Sequence, residues 1–325
     1  MKEESLFLHV VILGYGQFRQ TTEQCLHSLL PELYRTDIRI TVIDNGSPDD
    51  AASMQSEFVK AYPQIHSLHI TNNLGFAGGM NEGAKQYDAK WLVLVGSDTV
   101  FSPYAFTSLY EGITSLPETI GIAGPVTNEA GTAQQLHFMN QNRHDIFQEW
   151  EKNQKTGLVT PIHRADFFCV AIRKSLWDQL GGLDLSYGRG YYEDVDFCMR
   201  AGQLGYTCVM LEDVFVYHAG SQSFKSDPEQ KVLIRKNKKI FEKKFPKALL
   251  LHRREENLKV IEYYLKSLIH AQPATLQRVQ DRLLRAREEL PRSFWKKWRW
   301  KNRVKHLEEQ FYQVCARSLD NTTQI

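Results

Sequence analysis

Short apolar runs alternate with amphipathic stretches along the first two thirds of the chain. Leu8–Leu13, Arg39–Ile43, Ile65–Thr71 and Trp91–Thr99 lack helical spacing, and each leads into a turn sequence rich in Gly, Asn, Ser or Asp. Such runs predict strands buried on both faces, as in an α/β sheet covered by helices. Thr21 or Thr22 caps a predicted helix with Cys25, Leu26, Leu29 and Leu30 on one side. Ala52–Tyr62 and Pro103–Leu116 read as further helices, and Lys174–Leu180 as one stopped by Gly181 and Gly182. Ile120–Val126, part of 162–172, Thr207–Leu211 and Val214–His218 read as strands. Residues 128–160 are polar and yield one helix, near Ile146–Lys155.

Beyond residue 225 the pattern becomes helical. Leu258, Ile261, Leu265 and Leu268 share one face; so do Leu276, Val279, Leu283, Ala286 and Leu290; so do Val304, Leu307, Phe311 and Cys315. The charge changes at the same place. Residues 1–224 hold 15 Lys/Arg and 26 Asp/Glu, net −11, and residues 225–325 hold 25 and 12, net +13. The expected organisation is an α/β domain over 1–225 and a helical basic region over 226–325. Arg292–Lys305 contains seven basic residues, three tryptophans and no acid. That mixture suits an anionic membrane surface. Nucleic acid is a lesser reading of it, and a solvated face with its tryptophans packed inward is the plain one.

The five cysteines are scattered and form no C-x-x-C pair, which points to free thiols in a reducing compartment. The N-terminus has no signal-peptide form, and no apolar run approaches the length of a membrane span. The expected location is cytoplasmic, at most peripheral at the inner face of the plasma membrane.

Candidate chemistry lies at the strand ends, where open α/β sheets collect ligands. Asp98 follows Gly96 and Ser97 after a buried run, a place for a carboxylate that holds a hard cation. Asp44 and Asn45 end the second strand and offer a carboxylate and an amide to a nucleoside, or simply make a turn. Gly75, Gly78, Gly79 and Gly83 open a predicted helix whose N–H groups can face phosphate; close helix–sheet packing is the alternative. Gly14-Tyr15-Gly16 begins a dinucleotide fingerprint, but Arg19 stands where its third glycine belongs. Glu193, Asp194 and Asp196 start a helix behind Gly188 and Gly190. One acid suffices for a cap; three beside two tyrosines suggest a binding floor, with Asp194 as general base. His218 is either a buried hydrogen-bonded histidine or a ligand.

The ordered set VIDNGSPDD (42–50), NNLGFAGGMNEG (72–83), LVGSDT (94–99), GGLD…YYEDVDFCMR (181–200) and YHAG (217–220) resembles the family 2 glycosyltransferases of GT-A fold. The likeness is to the bacterial branch that builds O-antigen, capsule and rhamnose-containing polysaccharides, and it covers about residues 8–225. It implies a mixed, Rossmann-like sheet and an inverting transfer. The donor would be a nucleotide-diphosphate sugar, dTDP-rhamnose or a UDP-sugar, and the cofactor Mn²⁺ or Mg²⁺. The acceptor would be a glycan or a lipid-linked oligosaccharide. By the same resemblance Asp44 and Asn45 meet the nucleoside, and Asn73, Gly75, Gly78, Asn81, Ser97 and Arg189 complete the donor side. Asp98 matches the last Asp of the D-x-D metal motif, whose first position is here Gly96, and His218 joins it at the metal. Asp194 matches the catalytic base, with Tyr192 and Glu193 on the acceptor side. Two other classes fit part of the sequence: a non-catalytic sugar-nucleotide or glycan-binding module, and a nucleic-acid binder acting through the basic region.

Overall fold

A computed structural model describes residues 6–152, 155–220, 229–248, 250–267 and 272–322. The chain runs β1 (Leu6–Gly14), α1 (Thr22–Leu29), β2 (Ile38–Asn45), α2 (Ala51–Val59), β3 (Ile65–Ile70), α3 (Gly75–Ala84) and β4 (Ala89–Gly96). It continues through β5 (Thr99–Phe101), α4 (Ala105–Thr114), β6 (Ile120–Val126), α5 (Arg143–Glu151), β7 (Val159–Ile162), β8 (Cys169–Arg173), α6 (Lys174–Leu180), α7 (Glu193–Gln203) and β9 (Thr207–His218). The helices α8 (Gln230–Lys244), α9 (Arg253–Ser267), α10 (Pro273–Glu288) and α11 (Phe294–Thr322) follow.

The strands form one mixed sheet in the order β3-β2-β1-β4-β8-β6-β9-β5, with β7 also on β9. β3, β2, β1 and β4 are parallel, as their uninterrupted apolar runs demand. β8 runs antiparallel between β4 and β6, and β9 lies parallel to β6. Side chains alternate across the sheet: Val10 and Ile12 join a core with α1 and α4, while Val11 joins the core on the other face.

The sequence reading needs four adjustments here. The run at 91–99 breaks after Gly96, and Thr99 begins the separate strand β5. The segments 207–211 and 214–218 form a single strand, because Glu212 is buried with partners of its own. The polar stretch 128–160 contains β7 as well as a helix. That helix starts at Arg143, where the Asn142 side chain accepts the Asp145 N–H at 3.0 Å as a cap.

The C-terminal helices are fastened to the sheet. Leu258, Ile261, Val279, Leu283, Val304 and Leu307 belong to the same apolar cluster as Leu92, Leu94 and Ile172. The predicted helical stripes therefore cover one face of the sheet; Leu268 and the boundary near 225 lie outside the described residues. At the centre of this contact is a buried ionic cluster. Glu212, fully buried, pairs with Arg282 at 3.0 Å and Arg278 at 3.4 Å and accepts the Tyr264 hydroxyl. Arg282 also donates to the Ala133 carbonyl at 2.9 Å and the Asn257 side chain at 3.1 Å.

Breaking a buried pair leaves an uncompensated charge, which costs roughly 3–5 kcal/mol. Arg282→Ala is expected to lose stability of that order, read as a lower urea midpoint; an unchanged midpoint would show the cluster to be dispensable.

Candidate active site

The pairing of β5 with β9 builds the first half of the site. Its register sets Thr99 opposite His218, and the Ala219 N–H donates to the Asp98 carbonyl at 3.0 Å. Asp98 and His218, 120 residues apart in sequence, therefore meet, with Oδ2 to Nε2 at 3.5 Å. His218 Nδ1 lies 2.9 Å from the Glu129 carbonyl oxygen. Only a protonated Nδ1 can donate there, so Nε2 is the nitrogen turned to Asp98. The ring stacks on Phe168, centroids 5.2 Å apart and planes 15° from parallel. Burial opposes charge on His218, but the bond to Asp98 and its negative charge outweigh it, and the pKa is raised.

This donor set fits a divalent cation: a carboxylate and an imidazole side by side, the second ring nitrogen held by a carbonyl. Among the described residues no cluster of three or more His, Cys, Asp or Glu is placed to hold a metal. Two protein ligands leave most of a coordination shell to a bound substrate. Asp98 and Ser97 also line a cleft of about 710 Å³, together with Gln17, Arg143, His144 and Tyr217.

The second half is the start of α7. Its three acids have separate fates. Asp196 is fully buried and held by Tyr187 at 3.0 Å, Arg200 at 2.5 Å and Lys244 at 2.6 Å. Glu193 is 6% exposed, its Oε2 has no partner, and burial beside Asp194 pushes its pKa up to about 8. Asp194 is half-buried and accepts the Val195 N–H at 2.7 Å. Burial and the nearby Asp166 raise its pKa to about 6, against the pull of Arg164.

Arg164 and Asp166 were not singled out in the sequence, where HRAD reads as the polar lead into a strand. They pair at 2.8 Å, and Asp166 also accepts the Gly131 N–H. Asp166 acts electrostatically on both His218 and Asp194, so this pair joins the two halves of the site.

The strand ends at β1 and β2 are knitted together. Ser47 donates to Asp44 and accepts the Gly16 N–H at 2.7 Å, and Asp49 accepts the Gln17 N–H at 2.8 Å. Asp44 and Asn45 are buried in this knot. The Asn45 amide donates to Asn73 at 3.2 Å and to the Gly75 carbonyl at 3.1 Å, and its oxygen accepts the Leu74 N–H at 3.1 Å.

The expectation of phosphate at the start of α3 is corrected. Asn45, Asn73 and the Arg189 carbonyl already claim the N–H groups of Leu74, Gly75 and Phe76. The glycines serve packing instead. A Cβ on Gly79 would lie 2.4 Å from Leu13, one on Gly83 2.4 Å from Val11, and one on Gly78 2.6 Å from Leu74. Gly75, at φ +72°, would put a Cβ 2.5 Å from the Gly188 carbonyl oxygen. Asn81 spends both ends of its amide on the Leu183 backbone, at 2.9 Å each, and borders a different groove between α3 and α6. The sequence placed Asn73, Gly75, Gly78 and Asn81 on the donor; in this structure they bond or pack against neighbouring loops and helices.

The Gly188–Tyr192 segment, which reads as mobile, is pinned by α8. Asn237, fully buried, donates its amide toward the carbonyls of Tyr187 (2.7 Å), Gly190 (2.8 Å) and Tyr191 (3.0 Å). Gln230 donates to the Tyr191 hydroxyl at 2.6 Å, and Arg189 pairs with Glu229 at 3.2 Å. The Tyr192 ring packs on Phe241, centroids 5.5 Å apart. Tyr191 and Tyr192 both adopt positive φ, 71° and 80°. Such backbone costs roughly 1–2 kcal/mol per residue without glycine. It persists where the surroundings enforce it, and it aims the next residues, Glu193 and Asp194.

Comparison with known proteins identifies the class. The model described as Glycosyl transferase family 2 matches residues 9–181, more than half of the chain. The chain belongs to glycosyl transferase family 2, and its activity is glycosyl transfer. It is similar to the N-acetylglucosaminyl-diphospho-decaprenol L-rhamnosyltransferase of Mycobacterium tuberculosis, 24% identical over 218 residues, 59% of this chain and 69% of that one. It is also similar to a low-salt glycan biosynthesis hexosyltransferase of Haloferax volcanii, 25% identical over 170 residues, 49% of this chain and 52% of that one. Among solved structures, the mannosyltransferase PcManGT from Pyrobaculum calidifontis, in complex with GDP-Man and Mn²⁺, superposes with a TM-score of 0.54 at 16% identity, covering 97% of this chain and 88% of that one. S. aureus TarS (residues 1–349) does so at 0.52 and 14% identity, covering 97% and 89%. The fold is the GT-A fold.

Asn237→Ala removes the donor from three buried carbonyls. It is expected to cost about 1–3 kcal/mol in urea unfolding and to slow glycosyl transfer, because the strained turn before Asp194 loses its clamp. Full transfer rate at reduced stability would separate Asn237 from the site.

Proposed function

We propose that the chain transfers a sugar, with inversion, from a nucleotide-diphosphate donor to a hydroxyl of a glycan or lipid-linked acceptor. The donor is dTDP-rhamnose or a UDP-sugar. The relative named for decaprenol-linked rhamnosyl transfer supports the deoxysugar and the lipid-linked acceptor, and the neighbour bound to GDP-Man and Mn²⁺ supports a nucleotide sugar and a cation. One observation carries the reading: the Asp98–His218 pair and the Asp194 carboxylate both lie within the electrostatic reach of Asp166.

Asp44 and its loop receive the nucleoside, and Ser97 the donor's diphosphate end. Asp98 and His218 would hold Mn²⁺ or Mg²⁺, of which Mn²⁺ accepts imidazole more readily. When bound, the cation supplies neutralisation of charge on the departing diphosphate. Asp194 takes the proton from the acceptor hydroxyl. The oxygen attacks the anomeric carbon from the face opposite the nucleotide, the bond from that carbon to the diphosphate oxygen breaks, and the nucleoside diphosphate departs. Glu193 stays protonated at neutral pH, since its pKa is about 8, and so adds no second negative charge beside the base. From the pinned segment Arg189 serves the donor side and Tyr192 borders the acceptor. Activity on the cytoplasmic side of the membrane follows from the use of nucleotide sugars.

A positioned base contributes roughly 10²–10⁴ in rate. Asp194→Asn is therefore expected to lose transfer by that factor while donor affinity, read by calorimetry, is unchanged. Undiminished turnover would remove Asp194 from the base role.

Asp98→Ala is expected to abolish Mn²⁺-dependent donor hydrolysis and transfer. Donor binding with neither hydrolysis nor transfer in the unaltered protein would favour the binding-module alternative.

The base works ionised, so kcat/KM should rise with pH through about 6 and level above it. In the Asp194→Asn protein that rise should vanish.

A further inference from the structure

One end of α11 has no task in the fold. From Trp300 onward the helix buries a stripe of Trp300, Val304, Leu307 and Phe311, each 7% exposed or less. Trp300 also donates its indole N–H to the Ala286 carbonyl at 2.8 Å. The preceding residues, 292–299, are all exposed. Phe294, Trp295 and Trp298 are 75%, 71% and 56% exposed, among the most exposed large apolar side chains described. At about 100° of rotation per residue, Trp298 lies on the opposite side of the helix from Leu307, with Phe294 and Trp295 flanking it. The three rings therefore point away from the core.

Cations surround them. Arg292, Lys296, Lys297, Arg299 and Lys301 are exposed and make no salt bridge among the described residues, whereas Arg303 and Lys305 do. No acid occurs between Leu290 and Leu307. Exposed aromatic area inside an uncompensated positive field is a recognition surface, since neither component stabilises the monomer.

We propose that this end of α11 docks on an anionic lipid surface, its three rings entering the headgroup layer and its lysines and arginines facing lipid phosphates. Aromatic side chains with one apolar body and one polar edge settle at that depth, and flanking cations add attraction to anionic lipid. Two observations favour lipid over nucleic acid. Phe294 and Trp295 meet edge to face, centroids 5.6 Å apart at 82°, which makes a compact wedge and not a row of parallel platforms for bases. Arg278, Arg282 and Arg285 of the neighbouring helix are buried and its exposed Arg287 is paired with Glu308, so no basic track extends from the patch along that helix. No described helix is long and apolar enough to cross a membrane. The proposal rests on this surface alone and stands whether or not the acceptor is lipid-linked.

The test is sedimentation of the full chain with vesicles of phosphatidylcholine, with and without phosphatidylglycerol. Binding is expected with the anionic vesicles and not with phosphatidylcholine alone. The triple change Phe294→Ser, Trp295→Ser, Trp298→Ser and the quadruple change Lys296→Gln, Lys297→Gln, Arg299→Gln, Lys301→Gln should each weaken it by at least about tenfold. Thermal unfolding midpoints should not move, because the altered side chains are exposed; a single Trp295→Ser protein, expected to bind several-fold more weakly, serves should the triple variant unfold. Absence of binding to anionic vesicles, equal binding by the variants, or tighter binding to a single-stranded oligonucleotide than to vesicles would each overturn the proposal.

Discussion

Three residues of antiparallel pairing, Thr99–Phe101 of β5 against Val216–His218 of β9, hold the two ends of the candidate site together. Without them Asp98 ends one strand, His218 ends another, and nothing relates the two. With them the carboxylate and the imidazole are neighbours, and neither residue can move without breaking backbone hydrogen bonds. The chain reaches this pairing by leaving β4 at Gly96, where a Cβ would stand 3.1 Å from Asp98 Oδ1 and 3.5 Å from the Phe168 carbonyl oxygen. Phe168, brought alongside by the pairing of Val95 with Cys169, then supplies the ring on which His218 rests.

The opposite wall is held from outside the sheet. Glu256 of α9 accepts the N–H groups of Ala133 and His163, at 2.8 and 2.9 Å, and Arg282 of α10 accepts nothing but donates to the Ala133 carbonyl. Those loops carry Gly131, which donates to Asp166, and Arg164 and Asp166, whose charges act on Asp194. From the other side α8 clamps the turn before α7 through Asn237. The family match ends at residue 181, just after α6, so α7, β9 and the helices that fix these loops lie beyond it. A buried ion cluster is weak evidence for stability, since its desolvation offsets its attraction. Its use here is geometric, because Glu212 and Arg282 join β9 to α10 in one register.

Much of this was legible. The strand runs, the helix stop at Gly181 and the start of α7 follow from pattern alone, and Asp98 and His218 stand out by their place at strand ends. Arg164 and Asp166 were not legible, because a charged pair before a strand looks like any polar loop until the fold sets it against α7. Asn237 sits in a lysine-rich helix and gives no local sign that its amide faces three carbonyls. The α3 glycines show the reverse error. Their spacing suggests a phosphate loop, yet Leu13, Val11 and Leu74 fill the space their missing side chains leave. A glycine cluster records close approach of something, and sequence does not say whether that is ligand or sheet.

The same limit applies to the charge of +13 after residue 224. Read as a total, it announces a polyanionic partner for the whole region. Side chain by side chain it divides. The basic residues turned inward from α10 are Arg278, Arg282 and Arg285, all arginine. A guanidinium can serve several acceptors in a fixed fork and is less costly to dehydrate than an ammonium, which is how Arg282 meets Glu212, Asn257 and a carbonyl at once. At the start of α11 lysines predominate, in water, around exposed rings. Net charge erases this division: the buried arginines of α10 hold the fold, whereas the exposed lysines and arginines around Phe294, Trp295 and Trp298 make no salt bridge among the described residues.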